Sequence, residues 1–260
     1  LTSSGYRDIF VAKLNSSGNW VWAIKAGGSL TEESVGIRYN ANNSFIAITG
    51  FYSGNSVFGN TTLNANGARD IFIAKIDFNG NWLWAKSAGS NGNDESRGIA
   101  IDKNGNSVIT GYYTNAISFG SINLPAGNSR DIFIAKIDKN GDWLWAKSAS
   151  GNSDDEANAI AIDNSGFIYV TGTFNEDIKF GNIELNSLLD RNLFIVKLNQ
   201  SGNWSWAKMI NGTSQVDGLG ITVTSNGVAT ISGSFYKDAI SNIDTLYSKG
   251  DLDILLAQIS

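Results

Sequence analysis

Three observations predict an all-β protein: a β-propeller of four-stranded antiparallel blades, about 61 residues per repeat, with four units plus an extra partial blade. The phrase Asp8-Ile9-Phe10-Val11-Ala12-Lys13-Leu14 recurs from Asp70, Asp131 and Asn192, and more weakly from Asp253, at steps of 62, 61, 61 and 61 residues. All eight tryptophans fall in one registered pair: Trp20/Trp22, Trp82/Trp84, Trp143/Trp145 and Trp204/Trp206. A Thr-Gly or Ser-Gly pair recurs at Gly50, Gly111, Gly172 and Gly233. Self-similarity at a fixed long period is the signature of a repeat architecture, in which each unit buries its faces against its neighbours.

The unit beginning near Arg97 shows how each element is read. Residues 97–102 form a first strand, Asn104-Gly105 a tight turn, and residues 107–113 a second strand. A longer connection with Phe119-Gly120 and Leu124 follows, then a third strand over 131–138, the turn Asn140-Gly141, and a fourth strand over 143–148. Asn-Gly and Ser-Gly supply the positive φ angles that two-residue hairpins need. The third strand carries successive apolar residues (Ile71, Phe72, Ile73 and Ala74 in the preceding unit), so it is expected to be buried on both faces. In the fourth strand Trp82 and Trp84 share one face and apolar Leu83 occupies the other, which predicts burial there too. A sandwich leaves one sheet face wet and alternates; sheets covered on both faces suit radially stacked blades. Pro125, the only proline, falls in the long connection rather than in a ladder. No helical pattern occurs, and a β-solenoid is the alternative fold.

Labelled A to D from the axis outward, the strands divide the single domain 1–260 into a partial blade over 1–26, blades near 34–88, 97–148 and 158–208, and a partial blade over 217–260. The tally is four A, four B, five C and four D strands, which closes neither a four-bladed nor a five-bladed ring. The expectation is a segment of a longer array, or a subunit whose unpaired strand joins another chain. The start Leu1-Thr2-Ser3-Ser4-Gly5 reads as processed or excised.

The phrases DIFIAKIDKNGDWLWAKSA and AIDNSGFIYVTGTF, with the linking FG…L segment, resemble the SBBP-type bacterial β-propeller repeats. The resemblance spans essentially the whole chain. It implies the propeller fold and an extracellular or cell-surface address of the kind found in Bacteroidetes and spirochaetes, and carries no general catalytic motif.

Composition narrows the chemistry. With Cys 0 and His 0 there is no disulfide framework, no thiolate or imidazole metal site, no cysteine nucleophile and no Ser-His-Asp triad. A net charge of −5, with 24 acids against 19 bases, argues against nucleic acid as a partner. No apolar run reaches the ~18 residues of a transmembrane helix, so membrane insertion is not expected.

Two charged positions recur where the D–A and B–C connections emerge on one face of the ring. Glu33, Glu95, Glu156 and Asp217 precede strand A; Arg7, Arg69, Arg130 and Arg191 open strand C. These are the candidate ligand-binding residues, since a carboxylate ring can hold a hard cation or a ligand's amine or hydroxyls. The simpler reading pairs each carboxylate with a nearby arginine to tie neighbouring connections together. The Trp pairs invite a glycan-binding alternative, although core packing is favoured; Tyr52, Tyr113 and Tyr236 are alternative contacts in the connections. The segments from Asp77, Asp102 and Asp138 have a faint calcium-loop look, but the later ligands are absent, so they read as turns and no metal or cofactor is expected. A carboxylate-based glycoside hydrolase is the remaining alternative, with Glu176, Asp177, Glu184 and Asp190 as its non-repeating acids. The preferred reading is a non-enzymatic extracellular module whose partner is a protein or a glycan, with self-association by strand sharing.

Overall fold

The structure, a computed structural model of the chain, describes residues 1–127, 129–187 and 191–259; Asp190 lies outside them. It contains strands and no helix among the described residues. The chain opens with β1 (Ile9–Leu14) and β2 (Trp20–Gly28), a C and a D strand. The first full unit follows as β3 (Glu32–Asn40), β4 (Phe45–Tyr52), β5 (Asn55–Phe58), β6 (Thr61–Asn64), β7 (Asp70–Asp77) and β8 (Trp82–Ala88). The second comprises β9 (Glu95–Ile101), β10 (Ser107–Tyr113), β11 (Ile117–Phe119), β12 (Ile122–Leu124), β13 (Asp131–Ile137) and β14 (Trp143–Gly151). The third comprises β15 (Glu156–Ile162), β16 (Ile168–Phe174), β17 (Ile178–Phe180), β18 (Ile183–Leu185), β19 (Asn192–Leu198) and β20 (Trp204–Ile210). Three strands close the described chain: β21 (Val216–Val223), β22 (Ala229–Ile240) and β23 (Thr245–Ile259).

Each blade is an antiparallel sheet in A-B-C-D order: β3-β4-β7-β8, β9-β10-β13-β14 and β15-β16-β19-β20. The last sheet is β21-β22-β23, and β1 pairs with β2 alone. The first strands of four sheets, through Arg38, Ala100, Ile160, Ile221 and their neighbours, line one cavity of about 270 Å³.

Among the described residues, buried side chains form four clusters, one at each junction between successive sheets. Ile9 and Val11 meet Ile48, Phe72 and Ala74; Ile71 and Ile73 meet Ile109, Phe133 and Ala135; Ile132 and Ile134 meet Val170, Phe194 and Val196; Leu193 and Ile195 meet Ile231 and Leu255. A C strand thus turns its Ile face to the following blade and its Phe face to the preceding one. This double burial is why the third strand is continuously apolar rather than alternating.

The tryptophan pairs belong to these junctions as well. Trp22 Nε1 and Lys13 Nζ both donate to the Phe78 carbonyl in the next blade's C–D turn, at 3.2 and 3.3 Å. Trp84 and Lys75 do the same to Lys139 O (3.2 and 2.9 Å), and Trp145 and Lys136 to Gln200 O (3.2 and 3.5 Å). The turn's glycine rests on the same indole: Gly80, Gly141 and Gly202 have φ of 89°, 93° and 78° and lie against Trp22, Trp84 and Trp145. In three of the four pairs the first tryptophan packs edge-on against an aromatic of its own unit: Trp82 on Phe58, Trp143 on Phe119, Trp204 on Phe180.

Three expectations are corrected. The connection between B and C is a hairpin, not an irregular loop: β5-β6, β11-β12 and β17-β18, each with Phe-Gly at its tip. It adds to the preceding blade, with β5 pairing β2 and β17 pairing β14, while Ser118 bridges Gly89. The fourth strand is not covered on both sides, since Leu83 is 52% and Leu144 49% exposed where no further layer lies over that face. Tyr52 and Tyr113 are fully buried at the ends of β4 and β10 and are unavailable as contacts; Tyr236 is half-exposed.

Candidate interaction site

The recurrent charges converge where one blade's C strand begins beside the next blade's A strand. The backbone makes this joint: Glu32, Asp94, Asp155 and Val216 each donate their N–H to the carbonyl of Arg7, Arg69, Arg130 and Arg191, at 2.9, 2.9, 2.9 and 3.0 Å. That contact sets each arginine beside the carboxylate 26 positions on. Arg7 Nη1 meets Glu33 Oε2 at 3.1 Å, Arg69 meets Glu95, Arg130 meets Glu156, and Arg191 Nε meets Asp217. The carboxylates do not lie before the A strands as expected. Glu95 and Glu156 are their first residues, and Glu33 and Asp217 lie one residue inside.

Sequence reasoning missed Arg97, which links two of these pairs. Its guanidinium reaches Glu156 Oε2 at 3.1 Å and Glu95 Oε2 at 4.0 Å, donates to Asn158 Oδ1 at 3.2 Å, and shares the Tyr112 ring with Arg130. Burial, with Glu95 beside it, pushes the Tyr112 hydroxyl up to about 12. In the three inner pairs the carboxylate is largely covered and the guanidinium is open to solvent. Solvent therefore meets planar donors backed by carboxylates, an arrangement suited to main-chain carbonyls or acidic side chains. Because each carboxylate is engaged by an arginine, a chelator is expected to leave the melting temperature unchanged in calorimetry; a fall of several degrees would assign the ring to a cation.

A second acidic set lies beneath. Glu32, Asp94 and Asp155 directly precede the first set, so in an extended strand they point to the opposite side. Each approaches the carboxyl that opens the neighbouring C strand: Asp8 raises Glu32, Asp94 raises Asp70, and Asp131 raises Asp155. Burial is the main cause in each case and carries Asp131 to about 6 and Asp155 to about 8. At the last junction the equivalent residues are Asn192 and Val216, so no such pair forms. The doublets Glu32-Glu33, Asp94-Glu95 and Asp155-Glu156 were the available sequence signal.

The remaining sequence candidates are engaged separately. Asp77, Asp102 and Asp138 each accept two main-chain N–H groups of their own turn, between 2.8 and 2.9 Å. Glu184 pairs with Lys179 at 3.5 Å, and Asp177 accepts from the Ser187 N–H at 3.0 Å.

Over an alignment of 204 residues the chain is 26% identical to the uncharacterized WD repeat-containing protein L264 of Acanthamoeba polyphaga mimivirus, covering 65% of this chain and 14% of that protein. Over an alignment of 130 residues it is 27% identical to regulatory protein FlaEY of Caulobacter vibrioides, covering 47% of this chain and 14% of that protein. The chain thus spans about a seventh of the length of these relatives. A crystal structure of a protein of unknown function from Bacteroides caccae aligns over 99% of this chain and 70% of that one, with a TM-score of 0.47 and 12% identity. Residues 145–179, from the end of one blade into the next, match the SBBP β-propeller repeat, the family that the sequence resembles.

Proposed function

We propose that the chain is a non-enzymatic extracellular binding or structural module that mediates protein–protein assembly or adhesion through its arginine-lined connections and unpaired strands. The observation that carries the reading is the row of half-exposed Arg69, Arg130 and Arg191 side chains, each backed by a largely covered carboxylate, that recurs at successive joints on one side of the chain. The WD-repeat relative and the match to a propeller repeat support an interaction module, and the resemblance to surface-protein repeats supports the extracellular address. Among the described residues the carboxyl pair with unequal affinities, Asp131 and Asp155, is buried rather than set in the open cleft that glycoside hydrolysis requires, and Glu184 is paired with Lys179. Sedimentation velocity over a hundredfold concentration range tests assembly. Growth in mass with concentration is expected, and a monomer throughout would overturn self-assembly.

A further inference from the structure

We infer that the joint between β13 and β15 holds a calcium site whose protein ligands are the carboxylates of Asp131 and Asp155. The inference goes beyond the assembly reading and does not depend on it, since it concerns a buried joint between two complete blades rather than an exposed surface.

The joints are built alike but are not satisfied alike. Where β7 meets β9, Asp70 accepts the N–H groups of Asn66 and Gly67 at 2.9 and 3.2 Å. Asp94 accepts the Ser90 N–H and hydroxyl at 2.6 and 3.0 Å and the Thr114 N–H at 3.1 Å. Where β1 meets β3, Glu32 accepts the Ser56 hydroxyl at 2.7 Å and the Gly28 N–H at 3.1 Å, and Asp8 has the Ser4 N–H at 2.7 Å and Lys25 Nζ at 3.6 Å. Asp131 and Asp155 are fully buried too, yet both oxygens of Asp131 and Oδ2 of Asp155 accept no hydrogen bond. Only Asp155 Oδ1 is served among the described residues, by the Asn175 N–H at 3.2 Å. The N–H groups of Gly127 and Gly151 approach the pair and favour the charged forms without completing a bond to the other three oxygens. Arg130, adjacent in sequence, turns instead to Glu156 and Asp154.

The missing donor has a cause in the fold. Ser90 stands just beyond β8, and its counterpart 61 residues on is Gly151, the last residue of β14. There β14 pairs with β17, and a Cβ on Gly151 would lie 2.1 Å from the Asp177 carbonyl oxygen. The pairing leaves no room for a serine, so the hydroxyl that satisfies Asp94 has no equivalent beside Asp155. Ser129, whose hydroxyl is likewise buried and unpartnered, stands two residues before Asp131 where the preceding unit has Ala68.

Two buried carboxylates without partners carry a desolvation cost that a counter-ion relieves. Their free oxygens are hard donors brought together from two chain segments, and a divalent cation cancels both charges. Calcium accepts irregular oxygen coordination completed by water and carbonyls, whereas magnesium demands near-octahedral geometry and sheds water reluctantly. Among the described residues no third carboxylate completes a ligand set, so a dissociation constant of about 10⁻³ M is expected, at the weak end for calcium modules. Dilute buffer strips an ion held so weakly, and calcium must therefore be added, rather than chelated, to reveal the site.

The test titrates calcium chloride into the chain at pH 8.5, above the values of both carboxyls, with magnesium chloride at equal ionic strength as reference. About 10 mM calcium should raise the melting temperature by roughly 3–6 °C, and magnesium by much less. In NMR spectra the amides of residues 130–131 and 154–156 should shift and saturate with calcium. Asp131→Asn and Asp155→Asn should each weaken binding by about tenfold or more, whereas Glu184→Gln, at an exposed carboxylate, should not. Equal responses to the two ions, shifts that do not saturate or that centre on another joint, or a calcium response retained by Asp155→Asn would overturn the proposal. The NMR titration of the unaltered chain decides the matter even if a variant fails to fold. A chain that stays monomeric leaves the site intact, and failure of the site leaves the assembly reading intact.

Discussion

Gly111→Ala lowers the melting temperature by on the order of 10 °C, while Gly250→Ala leaves it unchanged. A Cβ on Gly111 would lie 1.9 Å from the Glu95 carbonyl oxygen and 3.0 Å from a ring carbon of Phe133. Both obstacles are fixed. The carbonyl belongs to the bulge where the β9–β10 register shifts at Thr110/Gly111, and Phe133 is fully buried. The neighbouring Thr110 hydroxyl donates to the Phe133 carbonyl at 2.8 Å, locking the B strand over the C strand. Overpacking a core commonly costs 1–3 kcal/mol, and here neither neighbour yields, so a cost of about 3 kcal/mol is expected. In a chain of this size each kcal/mol corresponds to roughly 2–4 °C. The same geometry recurs at Gly50 and Gly172, so each should respond alike. At Gly250 a methyl would meet no atom within 4 Å. Calorimetry of the two variants decides the matter, and an undiminished melting temperature for Gly111→Ala would mean the bulge can open without cost.

The second large effect is on pH dependence. Asp155 is fully buried, and burial raises its carboxyl to about 8, with Asp131 close by at about 6. Both are raised above the ordinary value near 4, so the folded state binds more protons than the unfolded state between that value and their own. Stability therefore falls as pH rises from about 4 to 8, and Asp155 alone contributes a slope of up to about 1.4 kcal/mol per pH unit. Asp155→Asn keeps the shape without the charge and should remove most of this slope. It should leave stability almost unchanged below about pH 4 and raise it progressively above that, most at pH 8.5. The junction that carries Asn192 and Val216 shows that the fold accommodates uncharged residues at this joint. Denaturant titrations of both proteins at pH 5.5, 7 and 8.5 test this, and parallel curves with equal slopes would show that the pair is not proton-linked.

The repeated features were legible because they are local. Positive-φ turns such as Asn140-Gly141, the Trp pairs and the doubly buried C strand each leave a mark within a few residues of chain. The B–C hairpins left none. β11 and β17 are three residues long, and their pairing partner, the end of the preceding D strand, lies some 28 residues upstream. Phe119-Gly120 was visible, but nothing nearby showed that its backbone completes another blade. The arginine–carboxylate pairs were legible as two registered series, yet Arg97 breaks the repeat, and a residue outside the register carries no signal in a period. Tyr52 and Tyr113 misled for a related reason: each follows the last regular apolar run of its strand, and the burial comes from beyond the strand. The same limit applies to Leu83, whose strand looked covered because its other face is.

The hairpin arrangement also separates the continuity of the backbone from the continuity of the fold. Each B–C hairpin belongs by sequence to one blade and by hydrogen bonding to the one before it, as roof tiles overlap the course beneath. The covalent link between successive blades is thus doubled by a non-covalent one: β5 holds β2 across the Gly28–Glu32 joint, and β17 holds β14 across residues 151–156. A protease that cut either joint would break the chain without opening the sheet. The two fragments would remain paired through the overlapping hairpin, the shared Trp-to-turn hydrogen bonds and the buried cluster of that junction. Overlap of this kind lets a nicked molecule remain an intact particle.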